Sequence, residues 1–211
     1  MSSETVDLLV RGVLVTLALT AVSAALSLVV GIIIGVLRVG PSALLRDLAA
    51  DYVEFFRNIP LLTVLFFIYF GLPQAGLRFS PFTSAVWGIG LYTAAYVGET
   101  IRAGIQSIGK GQLEAARALG LSYSQMLRFI VLPQALRMTI PPLGTLLIAL
   151  LKNTSLASAI VVQEMMYNGS VIEGRTFDPN IFIIIGLIYV VINIPLGLLV
   201  GVVERRLAIT R

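Results

Sequence analysis

The sequence predicts an all-α membrane protein with about five transmembrane helices and a pair of short helices on the cytoplasmic side. Three observations indicate this class: a mean hydropathy of +0.95, several long runs without a charged residue, and an uneven distribution of basic residues among the loops. A bilayer core takes about 20 apolar residues in helical form. A chain of 211 residues with 57% hydrophobic and 12% charged residues is therefore expected to reside in a membrane.

The apolar runs predict five spans in a single transmembrane domain that covers residues 1–211. The first run is too long for a signal peptide and is preceded by Glu4 and Asp7, so we expect it to remain as the first helix. The fourth run is short, and its neighbours extend it around the single charge of Lys152. The predicted spans are about 12–38, 55–73, 80–104, 133–152 and 179–203, with a cytoplasmic loop at 110–133.

The positions of the basic residues predict the orientation of these spans. If the first helix runs from outside to inside, most basic residues lie in cytoplasmic loops, and the positive-inside rule favours that arrangement. We therefore expect the N-terminus outside and the C-terminus in the cytoplasm. The basic residues on or near the cytoplasmic side are then Arg38, Arg46, Arg102, Lys110, Arg117, Arg128, Arg137, Arg205, Arg206 and Arg211.

The composition excludes several kinds of chemistry. The sequence has no cysteine and no histidine, which removes disulfides, thiol chemistry and the commonest metal ligands. We expect no metal site, no catalytic residues and no cofactor bound by this chain. The net charge of +4 lies in membrane-flanking loops, so nucleic acid is not an expected partner. No GxxxxGK[ST] phosphate loop occurs in the sequence, so energy from ATP would have to come from another subunit.

The loop at 110–133 has the local pattern of two short helices. Gly120 is suited to close the first helix, because glycine adopts the left-handed conformation at little cost. Ser122 and Gln125 have the spacing of a capping box that opens the second. The second helix is predicted to end at Leu132–Pro133. One interpretation of such a segment is an amphipathic helix that only rests in the lipid headgroups.

The same loop resembles a motif of a known family. Its spacing is similar to the EAA motif of permease subunits of ATP-binding-cassette (ABC) importers, and the matching residues are Glu114, Ala115, Ala116, Gly120, Ile130, Leu132 and Pro133. In that family the motif is the cytoplasmic loop that docks into the ATPase subunit. Further stretches resemble permeases for polar amino acids of the histidine, glutamine, glutamate and arginine group, namely FFIYFGLPQAG, ETIRAGIQSIGKGQLEAARALG, LPQALRMTIPPLG and LLKNTSLAS.

The resemblance implies a type I ABC importer permease fold and a role as the membrane-spanning subunit of an ATP-driven amino-acid uptake system. It implies a second permease subunit, identical or homologous, two cytoplasmic ATP-binding subunits that use the ATP, and an extracytoplasmic solute-binding protein. It also implies an amino-acid substrate, contact with membrane lipid and a bacterial cytoplasmic (inner) membrane location. The chain itself would not be an enzyme.

The resemblance also assigns the docking surface. Glu114 with the small pair Ala115 and Ala116 would contact the ATPase, and Gly120 would allow the turn that follows. Small residues permit close approach of another backbone, and a carboxylate near a helix start can be held by donors on the partner. The alternative for Glu114 is a pair with Arg117 at i, i+3 that only solvates the helix.

Two polar clusters are candidates for the substrate path. Arg57 and Asn58 border the second span, where an ionisable group usually faces protein, water or a ligand; the alternative is that Arg57 extends to the inner headgroups. Lys152, Asn153, Thr154 and Ser155 interrupt the fourth span and offer donors and acceptors for a zwitterion; their alternative is a helix cap at the outer interface.

Glu99 and Arg102, at i, i+3 near the inner end of the third span, are expected to form a structural ion pair rather than a ligand contact. Two other functional classes remain open from the residues alone. An ion-coupled secondary amino-acid carrier would need acidic residues within the membrane, and Glu99 is the one acid that the sequence places near the interior of a predicted span. A membrane scaffold without a transport role would need none.

Overall fold

The computed structural model describes residues 3–207, and of Tyr123 and Leu207 it describes the backbone alone. Arg211, which the sequence predicts to be cytoplasmic, lies outside that range. In the described range the regular structure is helical and no strand occurs, which confirms the all-α class. The helices are α1 (Ser3–Leu37), α2 (Ala43–Asn58), α3 (Leu61–Ala75), α4 (Pro81–Gln106), α5 (Lys110–Ala118), α6 (Tyr123–Met126), α7 (Leu132–Asn153), α8 (Met165–Thr176) and α9 (Asn180–Leu207).

Several of these helices are built to cross a membrane. In the described range three helical segments are long and apolar enough by themselves: Ser3–Leu37, Ser124–Ile160 and Asn180–Arg206. The pair α2 and α3 gives a fourth only if a helix bent by 104° counts as one span. α4 has 26 residues but is more polar. Because α1, α2, α3 and α7 all pack on it, much of the α4 surface contacts protein and does not need to be apolar.

The chain turns sharply at Pro60, between α2 and α3. Ile59 is extended, with φ −113° and ψ 148°, because the residue before a proline is pushed away from helical geometry. The helix that continues the predicted second span therefore starts at Leu61 rather than near residue 55. Arg57 and Asn58 lie in the last turn of α2, which is amphipathic, at the corner itself.

The predicted helix end at Leu132–Pro133 is wrong. α6 passes through a π-helical turn at Leu127–Val131 into α7 without a break, and the Leu132 N–H donates to the Leu127 carbonyl five residues earlier. A proline inside an α-helix removes one hydrogen bond and its ring collides with the preceding turn. The π turn changes the hydrogen-bond register just before Pro133, which lets the helix continue.

Close contact between α1 and α4 forms the centre of the bundle. Glycines of each helix lie against the backbone of the other: a Cβ added to Gly35 would meet the Gly98 carbonyl at 2.9 Å, and one added to Gly98 would meet the Gly31 carbonyl at 3.4 Å. Small residues at such a crossing let two membrane helices approach closely, and van der Waals packing then holds them together. This contact brings the C-terminal end of α1 next to the C-terminal end of α4.

We predict that Gly31→Ala destabilises the bundle. Its Cβ would lie 2.5 Å from the Cβ of Val97 and 3.0 Å from the Ala94 carbonyl, and neither atom can rotate away. Overpacking of this kind costs about 1–3 kcal/mol. The thermal unfolding midpoint of the purified protein in detergent, followed by circular dichroism, should fall.

Gly186→Ala in α9 is the matched control. No atom lies within 4 Å of a Cβ at that position, and alanine is favoured over glycine inside a helix by roughly 0.5–1 kcal/mol. Its midpoint should stay or rise. Equal midpoints for both variants would contradict the close α1–α4 contact.

Candidate functional site

The docking surface predicted from the sequence lies on α5, which stands at the surface of the molecule. Glu114 and Ala115 are exposed, whereas Ala116 is buried. One side-chain bridge ties α5 to the helix that follows: the Gln134 amide donates to the Gln112 side chain at 2.7 Å and to the Ile130 carbonyl at 3.0 Å. The structure therefore holds α5 by one face and leaves Glu114 and Ala115 open to contact.

The turn after α5 has the predicted conformation. Gly120 has φ +76°, a left-handed backbone that a side chain would strain. Its N–H donates to the Arg117 carbonyl at 2.9 Å, and the Leu121 N–H donates to the Ala116 carbonyl at 3.1 Å. These bonds satisfy carbonyls that the helix end would otherwise leave free.

The predicted capping box is also present. The Ser122 N–H donates to the Gln125 side chain at 2.9 Å, and the Gln125 N–H donates to the Ser122 hydroxyl at 3.4 Å. The two bonds satisfy donors at the start of α6 reciprocally. They confirm the local structure that the sequence predicts for this loop.

Glu114 makes no ion pair among the described residues, with Arg117 or with any other cation. Exposed apolar side chains occur in the same loop: Leu119 is 82% exposed and Phe129 is 62% exposed. Glu114 therefore does not form the i, i+3 pair with Arg117 that was the alternative for this residue.

Glu99 lies at the centre of an ion cluster between α1 and α4. Its carboxylate accepts from Arg102 through Nε at 3.0 Å and through Nη2 at 2.5 Å, and it also accepts from Arg38 at the end of α1. The three side chains are only 17–25% exposed. The sequence predicts the Glu99–Arg102 pair, but Arg38 is 61 residues from Glu99 and no local pattern links them.

Arg57 joins this cluster from the corner after α2. Its guanidinium lies over the Tyr96 ring, with the central carbon 5.6 Å from the ring centroid, and its charge acts on the Glu99 carboxylate. The Asn58 amide donates to the Glu54 carbonyl of its own helix at 2.7 Å. The structure thus places Arg57 over Tyr96, three residues before Glu99 on α4, and leaves Asn58 exposed.

The second polar cluster lies where α7 passes into a 3₁₀ segment, Thr154–Ile160. The Thr154 hydroxyl donates to the Leu151 carbonyl at 2.7 Å, and the Ser155 hydroxyl donates to the Lys152 carbonyl at 2.8 Å. Both hydroxyls use their proton within the helix. The Lys152 ammonium is exposed and Asn153 is half-buried, so these two side chains are the donors that remain available.

One functional candidate has no counterpart in the sequence-based prediction. Glu164 is fully buried at the N-terminus of α8, where it accepts from the N–H groups of Met166 at 2.9 Å and Tyr167 at 2.7 Å and from the Tyr189 hydroxyl at 3.3 Å. Burial raises the pKa of Glu164 to about 7. The sequence signal that could have identified Glu164 is an acidic residue directly before the start of α8.

We predict that Glu99→Gln destabilises the protein more than a comparable change at a surface ion pair. Without the carboxylate, Arg38 and Arg102 face each other half-buried and uncompensated, which costs roughly 1–3 kcal/mol. The control is Glu4→Gln, because the Glu4–Arg175 pair is largely exposed and such pairs contribute about 0–1 kcal/mol. Thermal unfolding midpoints in detergent measure the difference. Equal shifts of the two midpoints would mean that the Glu99 cluster contributes no more to stability than an exposed ion pair.

Comparison with known proteins identifies the family. Residues 27–209 match the family described as "Binding-protein-dependent transport system inner membrane component". The chain is 43% identical to the probable glutamine ABC transporter permease protein GlnM of Bacillus subtilis, over 91% of this chain and 89% of that protein. It is 38% identical to the glutamate transport system permease protein GluC of Corynebacterium efficiens, over 93% and 92%.

A solved structure gives the same result for the fold. The chain superposes on a structure described as an amino acid ABC transporter with histidines, with a TM-score of 0.92, 33% identity and coverage of 96% of this chain and 95% of that chain. Family, relatives and fold agree with the predicted multi-pass permease. The chain therefore belongs to the family of inner membrane components of binding-protein-dependent transport systems, and it is a permease subunit of an ABC importer.

Proposed function

We propose that this chain forms part of the membrane pathway of an ATP-driven importer for a polar amino acid, and that α5 couples the pathway to the ATPase. The observation that carries the proposal is the α5 surface, where Glu114 and Ala115 are exposed and Glu114 makes no ion pair in the described structure. The relatives support the substrate class, because by name they are permeases for glutamine and glutamate.

The pathway is proposed to form between two permease chains, identical or homologous. The cavity between α1, α4, α7 and α9, of about 390 Å³, is lined almost entirely by apolar side chains. Such a cavity does not provide the hydrogen bonds that a zwitterion requires. Two ATP-binding subunits would bind below, with ATP held by them alone, and a solute-binding protein would deliver substrate from outside.

The orientation is proposed from the same surface. α5 follows the C-terminal end of α4, which lies beside the C-terminal end of α1. If α5 contacts a cytoplasmic ATPase, both of these ends lie at the inner leaflet. The N-terminus then lies outside and the C-terminus in the cytoplasm, as the basic loops favour. ATPase closure would move α5 and rock the helices between inward-open and outward-open states.

We predict that Glu114→Lys abolishes ATP-driven uptake without disturbing the fold. The change reverses one exposed charge and leaves the helices intact, whereas a charge of the wrong sign in a docked interface costs on the order of several kcal/mol. Vesicles with the permease, its ATPase and its binding protein should take up labelled amino acid on addition of ATP. The variant should reach the membrane in normal amounts, copurify with little ATPase and show no uptake.

Asp47→Lys in α2 is the control, because Asp47 is also exposed and lies outside the proposed docking surface. It should retain its ATPase. If Glu114→Lys transports at the normal rate, α5 is not the docking surface.

The same vesicles separate the other functional classes. Uptake driven by an ion gradient without ATP would indicate a secondary carrier. Absence of uptake under any condition would indicate a scaffold.

The substrate path is proposed to include Lys152, Asn153, Thr154 and Ser155 from the end of α7, with Asn58 from the corner after α2. Lys152 offers an exposed cation for the substrate carboxylate, and Asn153 and Asn58 offer amide groups. Arg57 is exposed at the same corner and its guanidinium lies over the Tyr96 ring, so we propose for it the alternative role, an interaction with lipid headgroups.

We predict that Lys152→Met weakens uptake while ATPase binding persists. A charge-assisted hydrogen bond contributes about 1.5–3 kcal/mol, so the apparent KM should rise roughly tenfold to a hundredfold. Arg78→Met removes an exposed cation from the loop before α4 and should leave the KM unchanged. Identical KM values for both variants would return Lys152 to the role of an interfacial helix cap.

A further inference from the structure

An apolar groove runs along one side of the bundle between α2, α3 and α4. It encloses about 620 Å³, and its walls include Phe55, Phe56, Ile59, Trp87 and Leu91. Several of these side chains are open to the outside, Phe55 at 60% and Trp87 at 41% exposed. From Leu91 back to the start of α4 at Pro81 the groove follows the helix for about 15 Å, at 1.5 Å per residue.

The Glu99 cluster lies beside one end of this groove and carries surplus positive charge. The guanidinium groups of Arg38 and Arg102 contact one carboxylate, and that of Arg57 lies over the Tyr96 ring, three residues before Glu99 on α4. Arg57 directly follows Phe56 in the groove wall, and its guanidinium stacks on Tyr96, about one turn beyond Leu91 along α4. Arg57 forms no ion pair in the described structure closer than 4 Å.

We propose that the groove and the Glu99 cluster together bind one anionic phospholipid. Its phosphate would lie against Arg57 at the edge of the cluster, and an acyl chain would occupy the groove towards Trp87. The direction fits the proposed orientation, because the cluster lies at the proposed cytoplasmic ends of α1 and α4 and the groove extends from there towards the middle of the bilayer. Basic pockets between helices on the cytoplasmic side are suited to anionic headgroups.

Charge and polarity argue against the other occupants. Thr63 supplies the one hydroxyl among the groove-lining side chains, so a zwitterionic substrate would lose its hydration without replacement. A second copy docked by two-fold symmetry on this groove would place the same surface against itself. That arrangement would bring two clusters of surplus positive charge towards each other, which is repulsive.

The chain contains its own reporter, because Trp87 is the single tryptophan of the sequence and lies in the groove wall. The full-length permease is placed in vesicles of mixed phosphatidylcholine and phosphatidylglycerol. In parallel samples only one of the two lipids carries brominated acyl chains, which quench tryptophan fluorescence on contact. At equal mole fraction, brominated phosphatidylglycerol should quench Trp87 more strongly than brominated phosphatidylcholine.

Variants of the basic residues test whether the Glu99 cluster causes the preference for the anionic lipid. Arg57→Gln should reduce the relative affinity for the anionic lipid about fivefold, the factor expected for one arginine near a charged headgroup, and Arg57→Lys should largely restore it. Arg128→Gln is the matched control, because Arg128 also lies 5.6 Å from an aromatic ring, that of Phe129, but outside the Glu99 cluster. It should leave the preference unchanged.

Two results would overturn the proposal. Equal quenching by both brominated lipids, unchanged by Arg57→Gln, would mean that the groove contacts bulk lipid without selection. Absence of quenching by either lipid would mean that protein, such as a second copy, covers Trp87. Circular dichroism of each variant confirms that it remains folded. Because no transport is measured, either result leaves the proposed transport function untouched.

Discussion

The close crossing of α1 and α4 is the constraint on which the rest of the bundle depends. Inside a bilayer, apolar side chains gain little by leaving lipid, so helix association relies on tight packing instead. Glycines at the crossing allow the backbone of each helix to reach the other. Helices α2, α3 and α7 then pack on α4. A wider separation would remove the surface on which they assemble.

The same crossing determines where charge can be tolerated. Arg38 follows the last residue of α1 and Glu99 lies in the last two turns of α4, so close packing of the helices brings the two side chains together. Charges with so little solvent exposure are stable only when paired and hydrogen-bonded. Arg102 supplies a second, two-pronged contact from the same helix. Backbone packing and ion pairing therefore support each other at this end of the molecule.

Local signals in the sequence were sufficient for much of the structure. The apolar runs predict the helical class, Gly120 predicts a left-handed turn, and Ser122 with Gln125 predicts the cap of α6. Each of these features depends on residues within a few positions of one another. The proposed docking surface comes from the resemblance alone, and the structure shows Glu114 and Ala115 exposed and Ala116 buried.

Features that depend on distant residues could not be predicted in this way. No local pattern pairs Arg38 with Glu99, and the burial of Glu164 depends on Tyr189, which lies 25 residues further along the chain. The helix through Pro133 was missed for a different reason. Proline usually signals a helix end, and whether a π turn absorbs it depends on the packing of both flanking segments.

The uninterrupted helix from Ser124 to Ile160 has a mechanical consequence. At 1.5 Å per residue it is a rod of about 55 Å, longer than the hydrocarbon thickness of a bilayer. One end carries the capped start of α6 beside α5, and the other leads into the segment before Glu164. Because the helix continues through its π turn and past Pro141 and Pro142 without a break, a displacement at one end is passed along its backbone to the other. Force applied on one face of the membrane can therefore move residues near the other face without any helix unfolding on the way.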